Sequence, residues 1–567
     1  MTTTEKNHPA AVAGLVFLFA LICFLPLPAG APLAGTEGHR AMTAHQMVES
    51  GEWVVPRLFG RIYIAKPPLH YWIIGMFEKL SGRATPFIWR LPSAVEGAIT
   101  AALLSLFAGR WFGRIAGWVS GVSFVALITL WGENRGADID VTNTLAANLA
   151  AMCLLELHFG AGCRRWPWIL IAGLATGASL LVKGPAGMTI ILGMLLWAII
   201  VAISKREYSS LRRHRFWLPI VLGLAILAIW VGLALRYLKS HGLPVDQSGW
   251  REGTQDLHPH DWNWKRAREW VLLPATLFAF TLPVSLALPW AMFRGVTREK
   301  YRGFGCFREA FQNLTRGIPG EDARQSRLIG GLSASVLLAW LICFISGMHL
   351  PRYAYVTLPL LCPLAGALAS RVPRMDRKAV WWVRVILSWT AVAYAAAAIV
   401  ISVMLALHPE LPPLLIAVAI LAVGTAFLTA RMLHQRENWK ALWGIPVLLL
   451  LLSIAMGSFH YYDRLARSSV GPAQMIREKV GPNAELVTCM MVLDQPELFY
   501  YTGLPTRATN EAKLDWHPLK LGTWVVLEKP ELEQWQAEIP QRLREVIPFV
   551  ANKDNKGYLV LYAQKAG

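Results

Sequence analysis

Apolar runs long enough to cross a bilayer recur along this chain from one end to the other. A helix needs about 20 such residues to span the hydrocarbon core, where every backbone polar group must be satisfied internally. A barrel would show alternating segments of about 10 residues instead of continuous apolar runs. The chain therefore reads as a polytopic α-helical membrane protein. About thirteen runs qualify, with cores near 10–32, 91–109, 115–132, 141–159, 167–182, 186–203, 217–236, 271–292, 327–346, 354–370, 380–405, 411–430 and 442–458. Composition agrees: of 567 residues, 55% are hydrophobic and only 16% charged, too apolar for a soluble enzyme of this size. The first run follows Lys6-Asn7-His8 and is too long for a signal peptide, so it reads as an uncleaved span.

The formal net charge of +19 is explained by loops before it is explained by nucleic acid. Inner loops of membrane proteins collect Lys and Arg, and anionic lipid is their default partner. No basic stretch outside the spans is rich in stacking aromatics, so a nucleic-acid partner is not expected. The basic loops are 110–114, 163–165, 205–215, 294–327, 371–384 and 431–440; the positive-inside rule puts them in the cytoplasm. Loops 33–90, 133–140, 183–185, 237–270, 347–353 and 406–410 then face outward, as do the residues after about 460 if the span count is odd. Seven cysteines without a Cys-x-x-Cys pair imply neither a disulfide framework nor a zinc knuckle.

Two divisions follow, a membrane part over 1–459 and an outer-facing part over 460–567. The second is less apolar. Strand-like runs at 485–492, 523–527 and 557–562 alternate with helical patterns at 496–502 and 530–539, which suggests a small α/β domain.

The outward loops carry cations where the rule disfavours them: Arg57, Arg61, Lys66, Arg135, Lys183 and Arg352. A lipid phosphate or pyrophosphate is a natural counter-ion, and headgroup snorkelling is the plain alternative. In the first outer loop (33–90), residues 37–50 form an amphipathic pattern suited to a juxtamembrane helix. Thr36 fits its N-cap, and Glu37 and Arg40 share a face at i, i+3. Glu37 reads equally as a dipole-stabilising first-turn acid and as a catalytic one. Lys66-Pro67-Pro68 forbids helix and presents Lys66 on extended backbone before His70-Tyr71-Trp72. Asp138 and Asp140 stand at the start of the fourth span, where a carboxylate either caps the helix or faces a vestibule. Lys183-Gly184-Pro185 suits an anion site but is also an ordinary helix terminus. Arg352 with Tyr355 adds a base and a phenol, and loop 237–270 adds His258 and His260, whose spacing is weak evidence for a metal.

As a set, Glu37-Gly38-His39-Arg40, Gly51 to Pro56, Lys66 to Trp72, Arg90-Leu91-Pro92-Ser93-Ala94, Arg135 to Asp140, Lys183-Gly184-Pro185 and Arg352 to Pro359 resemble the lipid-carrier-dependent glycosyltransferases of the GT-C type. The resemblance covers roughly residues 10–370. It is closest to the bacterial branch related to protein O-mannosyltransferases and to the enzyme that adds aminoarabinose to lipid A. It implies a polyprenyl-phosphate-linked sugar as donor, a lipid, glycan or protein acceptor, and transfer at the outer face of the cytoplasmic membrane. Within it, Glu37, Asp140 and Asp138 are the catalytic candidates. Lys66, Lys183, Arg352, Arg40 and Arg135 are the phosphate-binding candidates, and His70, Tyr71, Tyr355 and His258 the acceptor or lipid contacts. Two departures stand out: Thr36 replaces one member of the family's usual acidic pair, and Ala65 replaces the acid that precedes Lys-Pro-Pro in metal-binding relatives. No metal or cofactor is firmly implied. A lipid-linked sugar flippase and a catalytically inactive lipid-binding relative are the alternatives.

Overall fold

The computed structural model describes residues 9–26, 29–64, 66–160, 165–207, 214–242, 264–282, 284–296, 305–347, 351–371 and 414–434. It also describes isolated positions between 380 and 400 and between 446 and 465, and residues 468–488, 495–508, 524–528, 543–551 and 557–563.

Helix α1 (Pro9–Phe24) is followed by the amphipathic α2 (Glu37–Ser50), a short hairpin of β1 (Arg57–Leu58) and β2 (Arg61–Ile62), and α3 (Leu69–Ser81). Glycines end α2 and α3, at Gly51 with φ +70° and Gly82 with φ +64°, the left-handed conformation that L side chains resist. The bundle then runs through α4 (Pro86–Phe112), α5 (Arg114–Val125), the short α6 (Trp131–Arg135), α7 (Ile139–Phe159), α8 (Trp166–Lys183), α9 (Thr189–Ser204) and α10 (His214–Ser240). It continues with α11 (Trp264–Phe280), α12 (Ala287–Phe293), α13 (Gly305–Arg316), α14 (Ala323–Ile345), α15 (Leu361–Ala369) and α16 (Leu414–His434). Local chemistry starts these helices where the sequence provides it. Thr85 accepts the Ile88 N–H ahead of Pro86 in α4, and Asp322 accepts the Gln325 N–H at 2.8 Å ahead of α14.

Among the described residues, four helices are long and apolar enough to cross a membrane, or five if α11 and α12 form one bent span. Shorter apolar helices cover Pro9–Phe24, Thr189–Ser204, Ala354–Ala369 and Ile416–Thr429. The chain is thus a multi-pass helical protein. Several expected spans are built differently from continuous helices. The 115–132 run is divided between α5, a 3-10 turn and α6, and the 354–370 run begins as a 3-10 helix, Pro351–Leu360. Ten residues of 3-10 geometry is long for that conformation. Small residues let helices approach: a Cβ on Gly173 would meet Leu222, and one on Gly177 would meet Ile226, so α8 and α10 pack nearly backbone to backbone.

Residues beyond 469 contain α17 (Val470–Val480), β3 (Leu486–Thr488), α18 (Pro496–Thr502), β4 (Thr506–Ala508), β5 (Trp524–Glu528), β6 (Leu543–Ala551) and β7 (Gly557–Ala563). The sheet order is β4-β3-β5-β7-β6, parallel from β4 to β5 and antiparallel thereafter. The helical pattern at 530–539 lies outside the described residues. A shared apolar layer joins this part to the segment between α1 and α4: Met42, Met47, Tyr71 and Trp89 pack in one cluster with Leu498, Phe499 and Val526. Polar contacts reinforce it. The Leu33 N–H donates to the Tyr501 hydroxyl at 2.6 Å, and the Ala508 N–H donates to the Phe59 carbonyl at 2.8 Å.

Candidate active site

The loop between α1 and α4 is fixed by one carboxylate. Glu37 opens α2, but Thr36 makes no side-chain cap; Glu37 itself accepts the Ala34 N–H at 3.3 Å. Arg90 of α4 donates to both Glu37 oxygens, from Nε at 3.0 Å and Nη2 at 2.8 Å, and spends its other hydrogens on the Ala31 and Pro32 carbonyls. Arg464 donates to the same two oxygens at 2.8 and 2.6 Å, and the Ala137 N–H adds a bond at 3.0 Å. Burial alone would push Glu37 up, but the two guanidinium groups outweigh it and hold the acid at about 2. The carboxylate accepts from the turn before α2, from α4, from the 136–138 turn and from Arg464.

Arg40 shares the helix with Glu37 but not its partners. Burial works against its charge, and Tyr71, Tyr63, Asp138 and Asp140 outweigh burial, so its pKa rises. Its Nε is buried without a hydrogen-bond partner. Lys66 is half-buried at a bend before α3. Pro67 and Pro68 do not both stay extended: Pro68 has φ −87° and ψ −10° and serves as the N-cap of α3. His70 and Tyr71 are fully buried on α3.

Asp138 caps α7 by accepting the Asp140 N–H at 2.7 Å. Burial, then the neighbouring Asp140 charge, raises the pKa of Asp138. Asp140 pairs with Lys183, the last residue of α8. Gly184 follows with φ +61° and ψ −149°, a conformation reserved for glycine, and this turns the chain so that the lysine faces α7. Beside the pair lies a shallow cleft with Glu133, Asn134, Asp140, Thr144 and Tyr355 in its wall. Glu133 is held up to about 8 by burial and then by Asp138.

A family model described as dolichyl-phosphate-mannose-protein mannosyltransferase matches residues 65–231. The undecaprenyl phosphate-alpha-4-amino-4-deoxy-L-arabinose arabinosyl transferase 1 of Pseudomonas fluorescens (strain Pf0-1) is 28% identical over 296 residues, 51% of this chain and 50% of the relative. Transferase 2 of the same strain is 26% identical over 373 residues, 63% of this chain and 59% of the relative. The chain thus spans about half the length of these relatives. The crystal structure of ArnT from Cupriavidus metallidurans bound to undecaprenyl phosphate superposes with a TM-score of 0.65 over 96% of this chain and 98% of that one, at 21% identity, so the fold is shared. The chain resembles the GT-C glycosyltransferases.

Against that resemblance, the structure brings Arg40, Asp138, Asp140, Lys183 and Tyr355 together and sets other candidates apart. Arg135 turns away from the cleft: its guanidinium donates to the Cys23 carbonyl at 2.6 Å and to Ser453, and lies 5.7 Å over the Trp131 ring. It ties α6 to α1 through Nε and Nη2. Arg352 is exposed at the start of the 3-10 helix that carries Tyr355. His258 lies outside the described residues. Among the described residues, no three His, Cys, Asp or Glu side chains stand close enough to hold a metal ion. Glu133 was not among the candidates, although an acid enclosed by Leu130-Trp131-Gly132 and an apolar helix is a signal of burial.

Proposed function

We propose that the chain is an integral-membrane glycosyltransferase that moves a sugar from a polyprenyl-phosphate donor to an acceptor at the outer face of the cytoplasmic membrane. The observation that carries this reading is the Asp140–Lys183 pair beside the cleft walled by Glu133 and Tyr355. It places a carboxylate next to a cation at the mouth of a helical bundle whose fold matches a lipid-phosphate-bound transferase. Lys183, Arg40 and Lys66 take the donor phosphate, with Arg352 at the exposed entrance. The bond between the anomeric carbon and the phosphate oxygen breaks, the acceptor oxygen attacks, and its proton passes to the Asp138/Asp140 pair. The cations stabilise the charge on the departing phosphate. Glu37, filled by two arginines, shapes the loop instead of taking the proton. His70 and Tyr71 support the loop from within. The basic loops support an orientation with the site and the C-terminal part facing the periplasm or exterior.

The test is transfer from an undecaprenyl-phosphate-linked sugar by purified protein in nanodiscs. Asp140→Asn should lower turnover by about 10²–10⁴, and Lys183→Ala should weaken donor binding as well. Full turnover in both variants would sink the assignment. Donor binding without any turnover in the wild type would instead mark a lipid-binding relative.

A further inference from the structure

One helical turn away from the Asp140–Lys183 pair, α7 and α8 meet a second time. Ser179 stands four residues before Lys183 on α8, and Asn143 three residues after Asp140 on α7, so each shares a helix face with its charged neighbour. Ser179 Oγ lies 2.8 Å from Asn143 Oδ1 and 3.1 Å from the Gly187 carbonyl oxygen. Gly187 belongs to the 3-10 turn Gly184–Met188 that follows Lys183. Ser179 and Asn143 are buried, at 0 and 2% exposure. The serine oxygen is the junction whichever way the Asn143 carboxamide is turned. Its hydroxyl either donates to both carbonyl oxygens or, with the amide reversed, accepts from the carboxamide nitrogen and donates to Gly187. Gly187 lets the turn come this close: a Cβ there would stand 2.6 Å from Asn143 Oδ1 and 2.8 Å from Ser179 Oγ, and something would have to shift. Two fixtures therefore set the end of α8, the ion pair at its tip and this neutral bridge one turn deeper. They differ in one respect. A phosphate competes with Asp140 for the lysine ammonium, and it does not compete for the bridge.

We propose that the Asn143–Ser179–Gly187 bridge positions Lys183 for the donor phosphate. It holds the end of α8 and the turn after it against α7, so the ammonium stays in place when its pairing with Asp140 loosens. Asn143, Ser179 and Gly187 are positioning residues that act through Lys183. The inference rests on the reading of Lys183 as a phosphate ligand.

The test is a double-mutant cycle on the binding of undecaprenyl phosphate to full-length protein in nanodiscs. Ser179→Ala should weaken binding about 2- to 10-fold, the worth of one hydrogen bond. In a Lys183→Ala background the same change should cost less than about twofold, because the bridge has no ammonium left to aim. Gly187→Ala, which pushes a methyl group into the bridge from the other side, should show the same dependence on Lys183 and serves as the second variant. A merely structural bridge would weaken binding equally in both backgrounds, and that result overturns the proposal. Unchanged affinity in both Ser179→Ala and Gly187→Ala, with Lys183 present, overturns it too. Full affinity in Lys183→Ala alone would instead defeat the reading of Lys183 as a phosphate ligand, and the proposal would fall with it.

Discussion

Replacing Glu37 by Gln separates an anchor from a base. Glutamine keeps the shape of the protonated acid but loses the charge that faces Arg90 and Arg464, and Arg90 is only 1% exposed. The magnitude has two independent routes. The pKa falls from 4.5 to about 2 on folding, which corresponds to about 3 kcal/mol favouring the ionised, folded state. Removing one partner of a buried ion pair costs about 3–5 kcal/mol in general. The opening concerned is the C-terminal part leaving the loop between α1 and α4, because Arg464 reaches Glu37 across that boundary. Arg90 is the larger of the two opposing charges and stays with Glu37 when Arg464 leaves, so that opening loses about 1–2 kcal/mol of this stabilisation, roughly a 5- to 30-fold change in the open population. Limited proteolysis in detergent, read as release of the fragment beyond residue 464, should therefore accelerate by roughly 5- to 30-fold in Glu37→Gln when cleavage tracks the open population. The pH dependence has a definite sign. A carboxylate whose folded pKa is depressed stabilises above its unfolded value, so the wild type should lose this anchor as pH falls from 4.5 towards 2. Unchanged proteolysis together with abolished sugar transfer would refute the reasoning and return Glu37 to catalysis.

Three further outcomes follow from other residues. Glu133→Gln should flatten the fall in stability between pH 4.5 and about 8, because the folded state keeps this acid protonated while the unfolded chain ionises; a thermal-shift series against pH checks it. Gly184→Ala should cost about 1–3 kcal/mol for a backbone conformation alanine resists and should weaken donor binding, because Lys183 is aimed by that turn; thermal shift and lipid-phosphate binding read the two effects. Arg135→Gln should lower thermal stability while leaving KM for the donor within about twofold, since its guanidinium is committed to Cys23 and Ser453.

Periodicity and capping chemistry made much of the fold legible. The helices expected at 37–50, 141–159, 167–182 and 496–502 follow from residues close in sequence. What escaped was non-local. Nothing near Glu37 announces that its partner lies 427 positions away at Arg464, or that Arg135 spends its guanidinium on α1. Strand β6 escaped for a local reason: Pro548 argues against a strand. Its position at the sheet edge, with register shifts between Glu545 and Val550, is where a proline is tolerated. Glu133 escaped because its importance comes from enclosure by other elements, which spacing does not reveal.

The acids around the site are distinguished by environment more than by residue type. Glu37 meets two arginines and stays ionised down to about 2, so it has no affinity for a proton at neutral pH. Glu133 meets burial and a neighbouring acid and holds its proton up to about 8, so near neutrality it is a donor in the cleft wall. A base must be ionised before the reaction and still attract a proton during it. Asp138 and Asp140 meet both conditions as a pair: burial, then the Asp140 charge, raises the proton affinity of Asp138, while Lys183 stands as a counter-ion beside Asp140. Donor phosphate arriving at Lys183 would loosen that ion pair and free Asp140 when substrate is present. On the proposed function, the candidate base lies at the head of α7 and not at the head of the first loop, and that role does not depend on the acid missing at Thr36.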